Sequence, residues 1–574
     1  MPARIIRAAR PIVFFILLLL AALAPVALPA TAPSVRAQSV TNKVAPALLT
    51  LMTANPSQML PVIVEVNEAT APFTTGVNVT LAQQALTTLQ AYGQPVGPLP
   101  IVDGAAGWAN AAGINAMSAL SQVSEIDLDA TVQPQKPSTI ESTNYAATTL
   151  GSMDVQEVNG NQVWSQGDSG QGITVAVLDS GVNNDPDLVK LSNRILARAS
   201  FAGPRNPNML DPGGHGTHIA GIIAGDGTNS AGQFVGVAPR ANIVDVQVLD
   251  ANGNGRVSST LAGLTWVLTN QSAYNIRVVN LSFGAIPQGS YITDPMAAGV
   301  EIAWRRGLVV VVAAGNGGPS TGNVDTPGVD PYAITVGSTD DQGQLSLAYD
   351  LVGWWSSYGT PPNSTTKPDL VAPGRRVVSM YVPGSTLSTL LPSHLVTANN
   401  GSTYFRMTGT SMSTAVVSGA VALLLQHQRG LTPDQVKKIL TSTTQPFGQS
   451  EPTPPSGSFG TGLLNALAAT NGSANGLANI GLIPSNDFAE TLYPAIYGQP
   501  PAWKNPTYLG IAWTTLTWAT LSWTAPAWNN YVWDNVVWNS VAWNNIAWDN
   551  IAWDNIAWDQ SGWDDIAWDN IVWD

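Results

Sequence analysis

Apolar runs alternate with helical segments through the middle of this 574-residue chain. Predominantly apolar runs of strand length predict buried strands at residues 173–178, 241–249, 278–283, 308–313 and 334–336. Between them, longer segments predict helices at 215–224, 257–269 and 295–306. Strands that alternate with helices indicate an α/β domain with a mostly parallel sheet, which we assign to residues 141–475.

The preceding segment, residues 38–140, has a different pattern. It begins with an alternating strand at 60–66 and continues with a helix at 80–92, a second helix at 114–123 and an alternating strand at 124–132. This order predicts a small α+β domain ahead of the larger one.

The first 37 residues have the pattern of a secretory signal peptide. Three arginines, at positions 4, 7 and 10, precede an apolar stretch from 11 to 30, and small residues that suit signal cleavage follow. An uncleaved membrane anchor is the alternative, because the apolar stretch is near the lower length limit for a span. Two prolines and two cleavage-like sites favour removal, so we predict a secreted protein that is extracellular or attached to the cell surface.

A linker and a repeat follow the α/β domain. Residues 476–500 are rich in Gly, Pro, Asn and Ser, which predicts a linker. In the tail, residues 501–574, tryptophan recurs every five residues from Trp513 to Trp573. A period of five buries no continuous stripe on a helix or on a strand, so we predict a β-solenoid-like coil with one corner per repeat. A disordered, low-complexity tail is the alternative.

Composition excludes some classes of function and changes the expected source of stability. The formal net charge is −14 without a basic stripe, which argues against nucleic acid as a partner. The chain has no cysteine, so a secreted form cannot rely on disulfides. Charged residues make up only 10% of the chain and apolar residues 45%, which allows a large core.

Three short motifs carry the candidate chemistry. Asp179 ends the first buried strand, His215 opens a helix of small residues, and Ser411 opens a long uncharged helix. A helix start offers free N–H groups and a positive dipole end, which would stabilise the oxyanion formed when a serine attacks a carbonyl. Taken alone, Ser411 could equally be a helix cap. The order Asp, His, Ser favours the catalytic interpretation.

The segments Asp179-Ser-Gly, His215-Gly-Thr-His-Ile-Ala-Gly and Gly409-Thr-Ser-Met closely resemble the three signatures of subtilisin-like serine proteases. The resemblance implies a subtilisin-like, doubly wound α/β fold. It also implies that Ser411 is the nucleophile, His215 the general base and Asp179 the residue that orients the imidazole. One departure is Ala415, where the family usually has proline four positions after the nucleophile, and we expect it to affect rigidity only slightly.

The same resemblance implies an oxyanion donor and a peptide-binding edge. Asn316, after the strand at 308–313, matches the side-chain amide donor of the family, although an Asn-Gly turn that merely closes the strand is the alternative. Extended peptide would lie between two backbone segments. These are Ser282, Phe283 and Gly284 on one side, and Ala313, Ala314 and Gly315 on the other.

The resulting hypothesis is a secreted serine endopeptidase that acts on proteins or peptides and is made with its own prodomain, residues 38–140, as an inhibitor. The chemistry requires no cofactor. Family members often bind structural calcium, but the sequence identifies no metal ligands. A zinc pair at His215 and His218 is disfavoured because no third ligand pattern is present. The rival hypothesis is a non-catalytic surface-binding protein that uses the tail, whose Trp rows suit contact with carbohydrate or a cell surface.

Overall fold

The computed structural model describes residues 43–67, 77–134, 152–448, 454–480 and 482–486, and the backbone of 537–539 and 557–559. The predicted signal peptide, most of the predicted linker and most of the repeat tail lie outside these ranges. Within the described part of the chain, no helix is long and apolar enough to cross a membrane.

The N-terminal unit, residues 43–134, is a four-stranded antiparallel sheet with the strand order β2-β3-β1-β4, packed against helices. Apolar side chains of β1 and α2 fill its core, and the Asn78 side chain caps α2 by accepting a hydrogen bond from the Leu81 N–H. The elements are α1 (Pro46–Ala54), β1 (Leu60–Val66), α2 (Val79–Tyr92), β2 (Gln94–Leu99), β3 (Gly104–Ala109), α3 (Ala111–Ser118), β4 (Val123–Leu128) and β5 (Thr131–Val132).

The first half of the larger domain supplies most of its central sheet. The elements are α4 (Met153–Glu157), α5 (Gly160–Trp164), β6 (Thr174–Asp179), α6 (Pro186–Val189), β7 (Ile195–Ser200), α7 (His215–Ala224), β8 (Asn242–Gln247), β9 (Gly255–Arg256), α8 (Val257–Tyr274), β10 (Ile276–Leu281), α9 (Pro295–Arg305) and β11 (Val309–Ala313). The strands β6, β8, β10 and β11 are buried along nearly their whole length, as the apolar runs predict.

The second half completes the sheet and adds a buried helix. That helix, α11, is 18 residues long and buried from Thr410 to Leu425. The elements are β12 (Ile334–Asp340), β13 (Leu351–Val352), β14 (Leu370–Pro373), β15 (Val377–Ser379), α10 (Thr386–Leu390), β16 (Leu395–Thr397), β17 (Thr403–Met407), α11 (Thr410–His427), α12 (Pro433–Ser442) and α13 (Ala466–Thr470).

The central sheet has the order β13-β12-β11-β10-β6-β8-β7, and β14 also pairs with β12. All of these pairings are parallel except that of β12 with β13. Because β11, β10 and β6 are neighbours and parallel, their carboxyl ends meet at one edge of the sheet. Side chains that follow these three strands therefore lie close together.

Asn479 and residues 482–486 remain attached to the larger domain. The Ser485 N–H and hydroxyl donate to the buried carboxylate of Glu301, and the Asn479 amide donates to the Tyr332 carbonyl. The Tyr291 hydroxyl donates to the Ile483 carbonyl. These bonds extend the contacts of the domain beyond residue 475, into the segment that the sequence predicts to be a linker.

In the tail, the backbone of β18 (Val537–Asn539) pairs with that of β19 (Ala557–Asp559). The pairing is parallel and joins residues 20 positions apart, which is four five-residue repeats. The other repeats lie outside the described residues, so the solenoid stays a prediction.

Candidate active site

The carboxyl edge of the sheet brings the predicted site residues together. Asp179 is the last residue of β6, and His215 is the first residue of α7. Ser411 is the second residue of α11, and Asn316 lies three residues after β11. Two strand ends and two helix starts thus meet around the end of β10.

Asp179 and His215 form a buried pair. The Nδ1 of His215 lies 2.8 and 2.9 Å from the two carboxylate oxygens of Asp179. Burial by itself would lower the pKa of His215, but the charge of Asp179 and its hydrogen bond outweigh burial, so the pKa is raised above its ordinary value of 6.5. The carboxylate fixes the proton on Nδ1 and leaves Nε2 free to act as a base.

Asp211, which the sequence motifs did not indicate, joins the two segments that carry Asp179 and His215. Its carboxylate accepts hydrogen bonds from the Ser180 hydroxyl (2.8 Å) and the Gly214 N–H (2.8 Å). It also accepts from the N–H (2.8 Å) and the hydroxyl (2.6 Å) of Thr217. Burial raises the pKa of Asp211 to about 6, against the opposing effect of these four bonds. The residue thus connects the turn after Asp179 to the start of the His215 helix.

Ser411 is held against the end of β10. Its hydroxyl donates to the carbonyl of Ser282 (2.8 Å), and the Ser282 hydroxyl donates to the Ser411 carbonyl (2.9 Å). Ser411 is buried at the start of an 18-residue helix, where the first-turn N–H groups favour negative charge. To act as a nucleophile, the Ser411 hydroxyl would have to give up its hydrogen bond to Ser282.

Asn316 is oriented by the residue that precedes Ser411. Its side-chain oxygen accepts hydrogen bonds from the N–H and the hydroxyl of Thr410, each at 2.9 Å. Because the oxygen is held in this way, the amide nitrogen faces the loop before Ser411. A Cβ on Gly409 would lie 2.9 Å from this nitrogen, and Gly409 has a φ of 154°, so glycine is required here both for space and for backbone conformation.

The predicted peptide-binding residues fall into three environments. Ser282 is buried beneath Ser411, and Phe283 is only 1% exposed and packs in the main core. Gly284 is buried, three residues after the end of β10, and exchanges backbone hydrogen bonds with Gln133. On the other side, Ala313 and Ala314 are buried at the end of β11.

Gly315 completes the second predicted segment. It has a φ of 107°, and a Cβ there would lie 2.5 Å from the Asp325 carboxylate. Its carbonyl accepts a hydrogen bond from the Ser357 N–H (2.9 Å). Glycine is therefore needed at this position for the turn that leads to Asn316.

The N-terminal unit inserts its last residues into a groove between β9 and Gly284, which lies two residues after Ser282. β5 pairs antiparallel with β9, which matches Val132 with Gly255. On the opposite side, the Gln133 N–H donates to the Gly284 carbonyl (3.0 Å), and the Gly284 N–H donates to the Gln133 carbonyl (3.2 Å). An extended strand of the chain itself therefore lies between two edges of the larger domain, as a peptide substrate would.

No zinc role is supported for His218. It is fully buried, and its Nε2 lies 3.0 Å from the carbonyl of Phe405. Burial, followed by the charge of His215, lowers its pKa to about 3, so it stays neutral and structural.

Calcium, which the resemblance implies, prefers six to eight oxygen ligands. Among the described residues, one group of three acidic side chains has carboxylate oxygens within 4.8 Å of one another, formed by Glu65, Glu125 and Asp127. Three carboxylates supply only part of such a shell, and the group lies in the N-terminal unit. These residues do not amount to a calcium site, and structural calcium stays a prediction.

Comparison with known proteins shows the family of the larger domain. Residues 170–473, more than half of the chain, match the model of the subtilase family, peptidase S8. The chain belongs to the subtilase family. It is 38% identical over 307 residues to serine protease AprX of Bacillus subtilis (strain 168), a match that covers 52% of this chain and 66% of AprX. It is 35% identical over 316 residues to Subtilisin Savinase of Lederbergia lenta, covering 55% of this chain and 97% of that protein.

The fold has a solved counterpart as well. Fervidolysin from Fervidobacterium pennivorans, described as a keratinolytic enzyme related to subtilisin, superposes with a TM-score of 0.54 at 24% identity. The match covers 73% of this chain and 61% of fervidolysin, and it supports the fold. Family membership and the protease relatives identify this subtilase as a serine endopeptidase, which confirms the predicted enzyme class.

Proposed function

We propose that this subtilase hydrolyses peptide bonds through a triad of Asp179, His215 and Ser411. Ser411 attacks the carbonyl carbon of the scissile bond, and His215 Nε2 takes the hydroxyl proton. The protonated imidazole gives this proton to the leaving amine, which leaves an acyl ester on Ser411. Water, deprotonated in turn by His215, releases the ester and restores the serine.

The stabilisation of charge in each step follows from the same geometry. Asp179, bonded to Nδ1 through both oxygens, stabilises the imidazolium that forms when His215 takes a proton. The Asn316 amide and the N–H of Ser411 would donate to the tetrahedral oxyanion. The observation that carries the proposal is the buried Asp179–His215 pair at the end of β6, in a chain of the subtilase family whose Ser411 is bonded to Ser282, just after the neighbouring strand β10.

We also propose that the N-terminal unit is an inhibitory prodomain of a secreted precursor. Support comes from the strand that it places between β9 and Gly284, which would block a substrate. A strand that belongs to the same chain loses no translational entropy when it binds, so it competes strongly with free peptides. Its removal would open the groove. The Trp-repeat tail would then serve as a separate attachment to a cell surface or carbohydrate.

Hydrolysis of casein tests the catalytic proposal. We expect the wild-type enzyme to degrade casein, a serine-directed fluorophosphonate to abolish this activity, and Ser411→Ala to show none. Ser413→Ala is the matched control, because the Ser413 hydroxyl is two positions away in the same helix and donates to the Ala372 carbonyl. Unchanged turnover in Ser411→Ala would refute the assignment of the nucleophile. Absence of casein hydrolysis by the wild-type protein would instead favour the rival binding function.

A further inference from the structure

The inserted strand carries an acidic side chain into the larger domain. Asp129 lies two residues before β5 and is only 4% exposed. Its carboxylate accepts hydrogen bonds from the N–H (2.9 Å) and the hydroxyl (2.7 Å) of Ser258. The Arg256 guanidinium donates to its backbone carbonyl (2.8 Å). Every one of these donors belongs to the larger domain.

Ser258 and Arg256 lie at the start of α8, an 18-residue helix. The first turn of this helix contains no acidic residue of its own. A carboxylate from another part of the chain therefore supplies the negative charge that a helix start favours. Two hydrogen bonds, a nearby guanidinium and the helix dipole together hold the Asp129 carboxylate in place.

The position of this contact relative to the groove is fixed by the strand that follows it. The Val257 N–H donates to the Ala130 carbonyl (3.0 Å), and the pairing with β9 continues without a break to Val132, which is fully buried. Gln133 then pairs with Gly284. An acidic residue that occupies the Ser258 contact therefore lies four residues before the residue that pairs with Gly284.

These donors remain when the N-terminal unit is gone, because none of them comes from it. A protein substrate that enters the groove in the same direction and register would present its own side chain to them. We propose that Ser258 and Arg256 form a subsite for an aspartate or glutamate of protein substrates, four residues N-terminal to the residue that pairs with Gly284. The subsite rests on the proposed protease function. It adds a preference for an acidic side chain far upstream of the cleaved bond.

Three peptides with the sequence of residues 127–142 test this subsite against processed enzyme. One is native, one carries Asp129→Asn, and one carries Asp127→Asn, which removes the same charge two positions away. Each competes with fluorescent casein, so the inhibition constant is measured whether or not the peptide is cut. We expect Asp129→Asn to weaken inhibition about tenfold and Asp127→Asn to change it less than twofold.

A second comparison separates the subsite from a general effect of charge. In Ser258→Ala enzyme the discrimination between the native and Asp129→Asn peptides should shrink to about threefold or less, and Ser258→Thr should restore it. Equal inhibition by the native and Asp129→Asn peptides would overturn the subsite, as would unchanged discrimination in Ser258→Ala enzyme. If casein is not hydrolysed, the protease proposal fails by itself, and calorimetric titration with the same peptides still decides the subsite.

Discussion

At the scale of single residues, the site depends on side chains that are held by other side chains. Asp179 orients His215, Thr410 orients Asn316, and Asp211 joins the segments on either side of the imidazole. Catalytic groups lose much of their effect when they are displaced by about 1 Å. The polar contacts around the site would therefore support the proposed catalysis as well as stability.

Replacing Asn316 tests the proposed oxyanion contact. We expect Asn316→Ala to lower kcat about 10²–10³-fold, a magnitude known from subtilisin itself, with a smaller change in KM. The physical reason is that the amide would bind the oxyanion more strongly than the ground-state carbonyl. Steady-state kinetics on one peptide substrate measures both constants. A loss that appears mainly in KM would instead indicate a role in substrate binding.

The pH dependence of the reaction follows from His215. The base must be neutral to accept the serine proton, and its raised pKa keeps it protonated to a higher pH than an ordinary histidine. Activity should therefore be lost as pH falls through a midpoint above 6.5. A profile of kcat/KM against pH reports this value for the free enzyme. An acid midpoint clearly below 6.5 would show that Asp179 raises the pKa of His215 by less than burial lowers it.

Short motifs in the sequence indicate the proposed reacting residues, but the residues that hold them in place are harder to predict. The triad candidates and Asn316 stand in short, characteristic segments, and the structure brings them to one edge of the sheet. Asp211 lies only four residues before His215, yet its role depends on Ser180, which is 31 residues away in sequence. Phe283 could be core or groove in the sequence, and only packing places its side chain in the core.

At the scale of elements, hydrophobic periodicity correctly predicts the helices and strands that pack against other elements of their own domain. The helix at 215–224 and the strand at 60–66 have the predicted bounds. The predicted helix at 114–123 instead ends at Ser118, because Val123 pairs with Val66 as the start of β4. The predicted strand at 124–132 is broken between β4 and β5, because Asp129 turns toward α8 and β5 pairs with the larger domain. Such distant pairing leaves no local pattern.

The register of the inserted strand predicts where the precursor is cut. Gln133 pairs antiparallel with Gly284, so two further residues would bring position 135 opposite Ser282, whose carbonyl accepts the Ser411 hydroxyl. Positions 135 and 136 lie outside the described residues. We expect cleavage between Gln135 and Lys136, so that sequencing of the processed enzyme begins at Lys136.

Ser411→Ala provides the control for this cleavage, since it should retain the N-terminal unit. Active, uninhibited enzyme that begins at Pro33 or Gln38, just after the candidate signal-cleavage sites, would contradict the prodomain proposal. A different start between residues 137 and 151 would leave a prodomain in place but would show that the register changes after Gln133.

At the scale of the whole molecule, the catalytic domain is one of several parts of the chain. The N-terminal unit contributes a strand to the groove, and Asn479 and residues 482–486 attach to buried groups of the larger domain. The tail has a separate composition, with eight aspartates and one lysine after residue 501. Stacked repeats would concentrate this negative charge, which outward exposure or bound cations would relieve.

Cysteine pairs can test the solenoid, because the natural chain has no cysteine. The pairing of β18 with β19 matches Asn539 with Asp559, at an offset of four repeats. We expect Asn539→Cys with Asp559→Cys to form a disulfide under mild oxidation, because paired strands bring Cα atoms within bonding range. Asn539→Cys with Asp554→Cys, offset by three repeats, should not. Equal cross-linking of both pairs would indicate a loosely collapsed tail.

The central claim is that Ser411 is the nucleophile of a serine endopeptidase. The most direct measurement is mass-spectrometric identification of the residue that carries the adduct after a fluorophosphonate has stopped casein hydrolysis. We expect one adduct per chain, on Ser411, which is absent in Ser411→Ala and present in Ser413→Ala. An adduct on a different residue, or complete inactivation with Ser411 unmodified, would contradict it.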